Sequence, residues 1–266
     1  MVQPAQVGKT GKMRVEGELF DLANTSIYRI TADEMRGVYR RASARGARRG
    51  AYAMQVLRAV LNWHGVKVPG NPLSRDVAGK DRIVLAPSAG KPSPIPPELL
   101  GAWWRAASER AGSAAADYYR FIVLTGARPG EAAAITLRFV DRKGSRITLI
   151  DTKNRSDHVL LLSAQAAEIV RAHMKRRSQG SKLFDIADGR KPLGMINKAA
   201  GTNVAAHDLR ATFASVAEDL VSAYTLKRML NHANTADVTG GHYVRKSETQ
   251  LRAGWQSVAD FISQSI

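Results

Sequence analysis

The 266-residue sequence contains no cysteine. This absence excludes disulfides, thiolate metal ligands and cysteine nucleophiles, and it fits a reducing cytoplasm, where we expect the protein to work. No apolar run reaches the roughly 20 residues that a membrane-spanning helix needs. The amino-terminal stretch MVQPAQVGKTGKMRVEGELF also lacks the apolar centre of a signal peptide. The sequence therefore predicts neither a membrane-spanning segment nor secretion.

Acidic residues are scarce relative to basic ones. Lys and Arg number 40 against 23 Asp and Glu, which gives a formal charge of +17 and a pI near 10.5. Such an excess indicates a polyanionic partner, and nucleic acid is the leading candidate. Composition alone leaves two other interpretations open: a basic protein without a particular partner and a membrane-surface binder.

Prolines mark a boundary within the chain, because five of the ten fall in the stretch VLAPSAGKPSPIPPE. Proline removes backbone donors and restricts the residue before it, so neither helix nor sheet continues through such a segment. The sequence thus predicts a linker over residues 85–96. It separates a small helical domain (26–84), preceded by a poorly ordered segment (1–25), from a larger domain (97–266) that is mainly α with a small antiparallel β-sheet.

The smaller domain contains two predicted helices. Thr31 is placed to cap a helix through TADEMRGVYRRA, and apolar residues from Tyr52 to Leu61 recur at helical spacing. Between these helices we place the stretch RRASARGARRG. Its five arginines are Arg40, Arg41, Arg45, Arg48 and Arg49. A phosphate backbone would relieve their mutual repulsion, and a solvated basic loop is an equally open interpretation.

The larger domain has helical patterns on both sides of a β-rich stretch. PPELLGAWWRAASERAG and AAADYYRFIVLTG predict helices, the second ending at Gly126, and a short helix should start at Pro129. RITLI and HVLLL, separated by DTKNRSD, predict an antiparallel pair. Helices resume at SAQAAEIVRAHMKRR. The last helix has an apolar stripe that either packs on its own domain or docks on a neighbouring copy: Leu251, Trp255, Val258 and Ile262.

The first chemical motif is TGARPGE, in which Arg128 stands between the predicted helix end at Gly126 and the helix start at Pro129. An arginine at such a junction has restricted freedom, so its planar guanidinium can be aimed at a phosphate. Glu131, three residues on, is placed to orient it. An arginine that instead caps backbone carbonyls remains an open interpretation.

The second motif is HDLR, which places His207 and Arg210 three residues apart on one face of a predicted helix. Asp208 suits the first turn of that helix. An imidazole and a guanidinium that converge from one turn can bind an anion and manage a proton together. A pair at this spacing is also common by chance.

Two further segments, LNHAN and GGHYVR, carry His232 and Tyr243. Gly240 and Gly241 permit sharp turns, so the tyrosine behind them can move into and out of a site. Taken singly, His232 is better explained as a structural histidine and Tyr243 by ordinary packing.

Taken in chain order, these motifs resemble the tyrosine recombinase family, which includes phage integrases and chromosome-dimer resolvases. Members carry an arginine in a TGxRxxE-like segment, an HxxR pair, a histidine or tryptophan in an LGH-like segment and a nucleophilic tyrosine soon after. All of these match between about residue 95 and the end of the chain. The family's hairpin lysine corresponds to Lys153 in DTKNRSD. Asn231 stands where glycine is more usual, and the step from His232 to Tyr243 is slightly longer than is common.

The resemblance implies a set of catalytic residues and their roles. Tyr243 would attack a DNA phosphodiester and form a 3′-phosphotyrosine link, without metal, ATP or another cofactor. His207 would accept or relay the tyrosine proton, and Lys153 would protonate the departing 5′ oxygen. The remaining catalytic residues would hold the phosphate: Arg128, Arg210 and His232.

The resemblance also implies partners. These are double-stranded DNA with specific recombination sites, further copies of the chain in a tetrameric synaptic complex, and accessory DNA-bending proteins. The helical domain would be a core-type DNA-binding domain whose arginines contact the duplex. Two alternatives remain: a type IB topoisomerase, which uses the same chemical groups without pairing sites, and a DNA-binding protein that does not cleave.

Overall fold

The computed structural model divides into two compact units, Met1–Lys91 and Pro92–Ile266, each with its own cluster of buried apolar side chains. The structure describes residues 1–4, 6–7, 13–14, 16–85, 93–150, 152, 156–178, 180–186, 189–231 and 247–265. These ranges are mainly helical with short antiparallel strand pairs, which is the predicted fold class. None of their helices is both long and apolar enough to cross a membrane.

The first unit is built on helices α1 (Ala32–Ala44) and α2 (Ala47–Trp63). The predicted cap of α1 is confirmed: the Thr31 hydroxyl accepts from the Glu34 backbone N–H at 3.3 Å, and Glu34 accepts from the Thr31 N–H at 2.8 Å. This reciprocal pair satisfies two backbone donors that an uncapped helix leaves open. The buried faces of the two helices pack together around Met35 and Met54.

The predicted loop RRASARGARRG between the two helices is wrong. Arg40 and Arg41 belong to α1, only Arg45 and Gly46 connect the helices, and Arg48 and Arg49 lie in the first turn of α2. Gly46 makes this tight connection with a φ of 140°, a conformation that side chains disfavour. The arginines are therefore carried by two rigid helix ends.

Regular structure also appears in the stretch before residue 26. Strand β1 (Gln6–Val7) pairs with β2 (Met13–Arg14), and Phe20–Leu22 forms a 3-10 turn. Leu19 is buried in the apolar cluster of the first unit. In their described part, residues 16–25 thus contribute to the core of this unit, which is helical apart from the strand pair.

The second unit is an assembly of helices around one small sheet. Its helices are α3 (Pro97–Ser108), α4 (Ala114–Thr125), α5 (Pro129–Ala134), α6 (Ala164–Met174), α7 (Arg190–Ala200), α8 (Ala206–Leu220), α9 (Ala223–Met229) and α10 (Glu248–Gln264). Strands β3 (Arg146–Leu149) and β4 (His158–Leu161) pair antiparallel, with Arg146 opposite Leu161 and Leu149 opposite His158. The sheet and the helices before and after it confirm the pattern that the sequence predicts.

The junction between α4 and α5 follows from three consecutive signals. Gly126 ends α4 in the left-handed conformation with a φ of 68°, and a Cβ there would collide with the ring of Phe213. Pro129 opens α5 at its first position, where a missing N–H costs nothing. Arg128 between them is extended, with φ −66° and ψ 138°. Local sequence therefore fixes where this arginine leaves the backbone.

Helix α10 packs on its own unit. Its stripe is buried in the same apolar cluster as α4 and α8, and the Trp255 indole N–H donates to the Thr125 carbonyl at 3.0 Å. Arg252 adds hydrogen bonds of 3.0 Å to the carbonyls of Ser145 and Leu162, which lie next to each other at one end of the sheet. Of the two interpretations of the stripe, the structure has the one in which α10 covers its own domain.

Candidate active site

An open groove with a volume of about 830 Å³ lies in the second unit. Its walls are the start of α5, strand β3 with the residues that follow it, and the start of α8. Arg128, Glu131 and His207 all line it, as does Thr152, which precedes Lys153 in the sequence. Segments far apart in the chain thus bring a guanidinium, a carboxylate and an imidazole to one concave surface.

Arg128 is held by a carboxylate rather than by carbonyls. Its Nη1 donates to Glu131 Oε1 at 3.0 Å, and the two side chains are only 20% and 16% exposed. Such a partly buried, charge-assisted bond fixes the guanidinium more firmly than a bond at the open surface would. Among the described residues, this carboxylate is the hydrogen-bonding partner recorded for Arg128, which disfavours the carbonyl-capping interpretation.

Arg210 makes the carbonyl contacts instead. It is 8% exposed, and it donates to the carbonyl of Gly126 at 2.5 Å and to that of Leu230 at 2.7 Å. Burial lowers the pKa of Arg210 to about 10, and the like charge of Arg128 adds to this effect while Glu131 opposes it. The group stays protonated at neutral pH. Because the charge of Arg128 contributes to the lowered pKa of Arg210, these two predicted phosphate ligands are near enough to interact electrostatically.

His207 is exposed on the first turn of α8, although Arg210 one turn later is buried. Asp208 between them secures the helix start, because its carboxylate accepts from the backbone N–H of Ala205 at 2.7 Å and of Ser93 at 3.0 Å. The imidazole is therefore presented to the groove from a fixed turn, whereas the guanidinium of Arg210 is buried against two backbone carbonyls.

Three of the predicted catalytic residues lie outside the described residues: Lys153, His232 and Tyr243. Their roles stay predictions. The described neighbours in sequence are Thr152 and Ser156 beside Lys153, and Asn231 before His232.

One partly buried group near the site was not singled out from the sequence. His158 begins β4, and its Nε2 lies 3.1 Å from the Met229 carbonyl. Burial lowers the pKa of His158, and the charges of Arg210 and Arg128 act in the same direction, while the bond to Met229 and the charge of Glu131 oppose them. The sequence signal that could have identified His158 is a histidine at the first position of an otherwise apolar strand. Its proximity to these charges depends on contacts between distant segments.

The predicted DNA-binding arginines lie in the first unit, at the junction of α1 and α2. Glu18 pairs with Arg49 at 3.2 Å and with Arg45 at 3.7 Å, and Asp21 pairs with Arg41. Arg45, Arg48 and Arg49 line a surface concavity of about 490 Å³ together with Gly46 and Tyr52. Within the described ranges no carboxylate pairs with Arg40 or Arg48. The acidic segment 16–21 thus supplies part of the counter-charge that the sequence left to a partner.

No cluster of three or more histidine, aspartate or glutamate side chains suited to a metal ion occurs among the described residues.

Comparison with known proteins links these features to one family. Residues 104–250, more than half of the chain, match the model of the phage integrase family. Over 116 residues the chain is 25% identical to the tyrosine recombinase XerA of Saccharolobus solfataricus. That match covers 42% of this chain and 40% of the relative, so the chain spans well under two thirds of the curated relative's length.

Solved structures show the same fold. The XerH site-specific recombinase, bound to its palindromic difH substrate in a post-cleavage complex, superposes with a TM-score of 0.56 at 16% identity, over 93% of this chain and 73% of that one. The Tn1549 transposon integrase in complex with circular intermediate DNA gives a TM-score of 0.55 at 16% identity, with 87% of both chains covered.

Proposed function

The chain belongs to the phage integrase family, and we propose that it is a tyrosine-type site-specific DNA recombinase whose nucleophile is Tyr243. The single observation that carries the proposal is the groove that Arg128, Glu131 and His207 line together, with Arg210 close enough to feel the charges of Arg128 and Glu131. A concave surface that holds a fixed guanidinium beside an imidazole suits attack on a phosphodiester.

The guanidiniums act on charge that develops at phosphorus. Transfer of a DNA phosphate to a tyrosine passes through a five-coordinate state whose non-bridging oxygens carry more charge than in the substrate. Fixed N–H donors stabilise that state more than the ground state, because they need no reorganisation when the charge appears. Arg128, held by Glu131, and Arg210, held by two carbonyls, are donors of this kind. We assign a further N–H contact to His232.

Proton transfer completes the proposed step. The Tyr243 hydroxyl has a reference pKa of about 10, so it must lose its proton as it attacks, and His207 accepts or relays that proton. The bond from Tyr243 Oη to phosphorus forms while the bond from phosphorus to the 5′ oxygen breaks. Lys153 delivers a proton to that departing oxygen. The phosphotyrosine ester retains the energy of the broken bond, so a 5′ hydroxyl of another strand can reverse the reaction without ATP.

The first unit serves as a DNA clamp in this proposal. Its exposed arginines at the α1–α2 junction can bind phosphates, which dominate the affinity of proteins for DNA. The XerH and Tn1549 integrase structures contain DNA, which supports double-stranded DNA as the partner. We further propose assembly of several copies, as a tetramer at synapsis, on specific recombination sites with accessory DNA-bending proteins, and action in the cytoplasm.

A nicked suicide substrate tests the proposal directly. A duplex nicked close to the scissile phosphate loses a short fragment after cleavage, so the covalent adduct accumulates. The full chain should form this adduct in the presence of a chelator, and peptide mapping should place it at Tyr243. The matched Tyr243→Phe variant should bind the same duplex without an adduct.

Two other outcomes separate the alternatives. DNA binding without an adduct on any site-containing substrate would identify a non-cleaving DNA-binding protein. Relaxation of supercoiled plasmids that lack a recombination site would identify a topoisomerase. The family match gives no support to either alternative.

A further inference from the structure

Asn231 stands out in the backbone of the second unit. Its φ is +48°, and among the described residues it is the one non-glycine residue with a positive φ. Asparagine tolerates this conformation better than most residues, but glycine adopts it without strain. Glycine is also what the resemblance leads one to expect at this position. The backbone conformation at residue 231 would therefore be less strained with glycine than with asparagine.

The Asn231 side chain reaches the β-hairpin. Its Nδ2 donates to Thr152 Oγ1 at 2.8 Å, across 79 residues of sequence. Thr152 is 3% exposed, so this contact is made away from bulk water. A partly buried amide–hydroxyl bond gains from a lowered local dielectric, and it is costly to leave the buried Thr152 hydroxyl unsatisfied.

Thr152 in turn bonds to Ser156, the next described residue of the hairpin connection after it. The Thr152 hydroxyl donates to the Ser156 carbonyl at 2.8 Å, and the Thr152 backbone N–H donates to the same carbonyl at 3.2 Å. The amide of Asn231, the hydroxyl of Thr152 and the carbonyl of Ser156 thus form a continuous chain of hydrogen bonds. Each donor in such a chain polarises the next. Thr152 and Ser156, which we call the hairpin base, are thus bonded to each other and, through Thr152, to Asn231.

The other end of this chain is anchored as well. Immediately before Asn231, the Leu230 carbonyl accepts from Arg210 and the Met229 carbonyl contacts His158. The segment Met229–Asn231 is therefore tied to the guanidinium, to strand β4 and to the hairpin at three successive residues. A hairpin that is fixed to this segment is fixed relative to Arg210.

We propose that Asn231 is a positioning residue that sets the hairpin base, and with it Lys153, against the phosphate site. The proposal rests on the proposed function, because it concerns the proton that the departing 5′ oxygen receives. We assign Asn231 no contact with DNA or the reacting atoms. It acts through Thr152, whose neighbour in sequence is Lys153.

The test removes the need for that proton. A suicide substrate is prepared with oxygen or with sulfur at the 5′ bridging position of the scissile phosphate. In both, the bond from Tyr243 Oη to phosphorus forms. With sulfur, the breaking phosphorus–sulfur bond releases a thiolate, which is stable near neutral pH and needs no general acid. A defect in delivering a proton should therefore disappear with sulfur.

The Asn231→Gly variant is suited to this test because glycine keeps the backbone conformation. Single-turnover cleavage of the oxygen substrate should fall roughly ten- to hundredfold, as expected when a reacting group is misplaced by about 1 Å. Cleavage of the sulfur substrate should stay within about twofold of the wild-type rate on that substrate. Lys153→Ala serves as the reference, since it should show the same rescue with a larger oxygen defect.

Thr152 provides a second, independent pair of variants. Thr152→Val keeps the shape but removes the hydroxyl, and should reproduce the sulfur-dependent pattern, while Thr152→Ser restores the hydroxyl and should restore the rate. Thermal unfolding of each variant checks that it is folded at the assay temperature. If Asn231→Gly does not fold, the Thr152 pair decides the question.

The outcomes distinguish this proposal from the proposed function. If the wild-type chain forms no adduct on either substrate, the proposed function fails. If it forms one and Asn231→Gly is equally slow on oxygen and sulfur, or as fast as wild type on oxygen, the positioning role is overturned.

Discussion

Arginines gather at two places in this chain, and they are held differently at each. At the α1–α2 junction of the first unit they are exposed, and their partners are the carboxylates of Glu18 and Asp21. In the second unit Arg128 is partly buried against Glu131, and Arg210 is buried against two backbone carbonyls. The first arrangement is easily exchanged for another anion, whereas the second is fixed before any substrate arrives.

The difference matters because DNA binding and transition-state stabilisation place opposite requirements on an arginine. The exposed pair of Arg41 with Asp21 contributes at most about 1 kcal/mol and is screened by salt, so a phosphate can displace that carboxylate at small cost. Donors that stabilise a transition state must instead be in place when charge appears. We therefore expect changes at the first site to alter DNA affinity and changes at the second to alter the rate of cleavage.

Replacement of Arg210 should produce the largest effect. Arg210→Ala removes a fixed donor and leaves the Gly126 and Leu230 carbonyls without their partner, so single-turnover cleavage should fall roughly a hundred- to a thousandfold. Arg210→Lys keeps the charge but cannot reproduce the planar fork, and should recover only part of the rate. DNA affinity, measured by fluorescence anisotropy, should change little for either. If Arg210→Ala cleaves within threefold of the wild-type rate, the second site does not control cleavage in the way that we expect.

Replacement of Glu131 should have a smaller effect on the same step. Glu131→Gln keeps a hydrogen-bond acceptor for Arg128 but removes the charge, so the guanidinium is held less firmly. Cleavage should slow by about tenfold, which corresponds to about 1.4 kcal/mol of transition-state stabilisation. Asp33→Asn, which affects an exposed pair with Arg36 in the first unit, is the matched control and should leave the rate unchanged. Equal effects of the two variants would contradict the expected role of burial.

Replacement of Glu18 should act in the opposite sense, on binding. Glu18→Gln releases Arg45 and Arg49 from the carboxylate that competes with phosphate, so DNA affinity should rise by about two- to fivefold. The steepness of the salt dependence should also increase, because more counterions are displaced on binding. Cleavage at saturating enzyme should not change. Unaltered or weaker binding would mean that these arginines do not face DNA.

The smallest expected effect concerns the pH dependence of stability. The pKa of the partly buried His158 is lowered in the folded state by desolvation, so the unfolded chain takes up its proton first as the pH falls. The contribution of His158 is therefore fully present above its ordinary value of about 6.5 and declines as the pH falls toward its folded pKa. His158→Gln retains a donor for the Met229 carbonyl without this titration. Urea unfolding at pH 7 and pH 5 should show a smaller loss of stability for the variant than for wild type.

Local signals made much of the fold predictable. The cap at Thr31, the left-handed Gly126 and the proline that opens α5 are each decided within a few residues, and each appears where the sequence places it. The antiparallel pair β3–β4 is likewise a local hairpin. The same features place Arg128 and His207 at the ends of elements, where their side chains meet in the groove.

Contacts between distant segments account for what the sequence missed. The arginine-rich stretch was predicted to lie between the helices with a phosphate partner or solvent around it, whereas carboxylates from residues 16–21 pair with three of its arginines. The partners of Arg210 lie 84 and 20 residues away, and that of Asn231 lies 79 residues away. No spacing rule within one element anticipates such pairs.

The two carbonyls that bind Arg210 are those of the residues that terminate α4 and α9. The peptide dipoles of each helix sum to a partial negative charge at such an end, so the guanidinium neutralises two macrodipoles at once. This attraction offsets its repulsion from Arg128 in the absence of any phosphate. The free energy of folding therefore covers the cost of placing Arg210 near Arg128. DNA then encounters guanidiniums that are already in place.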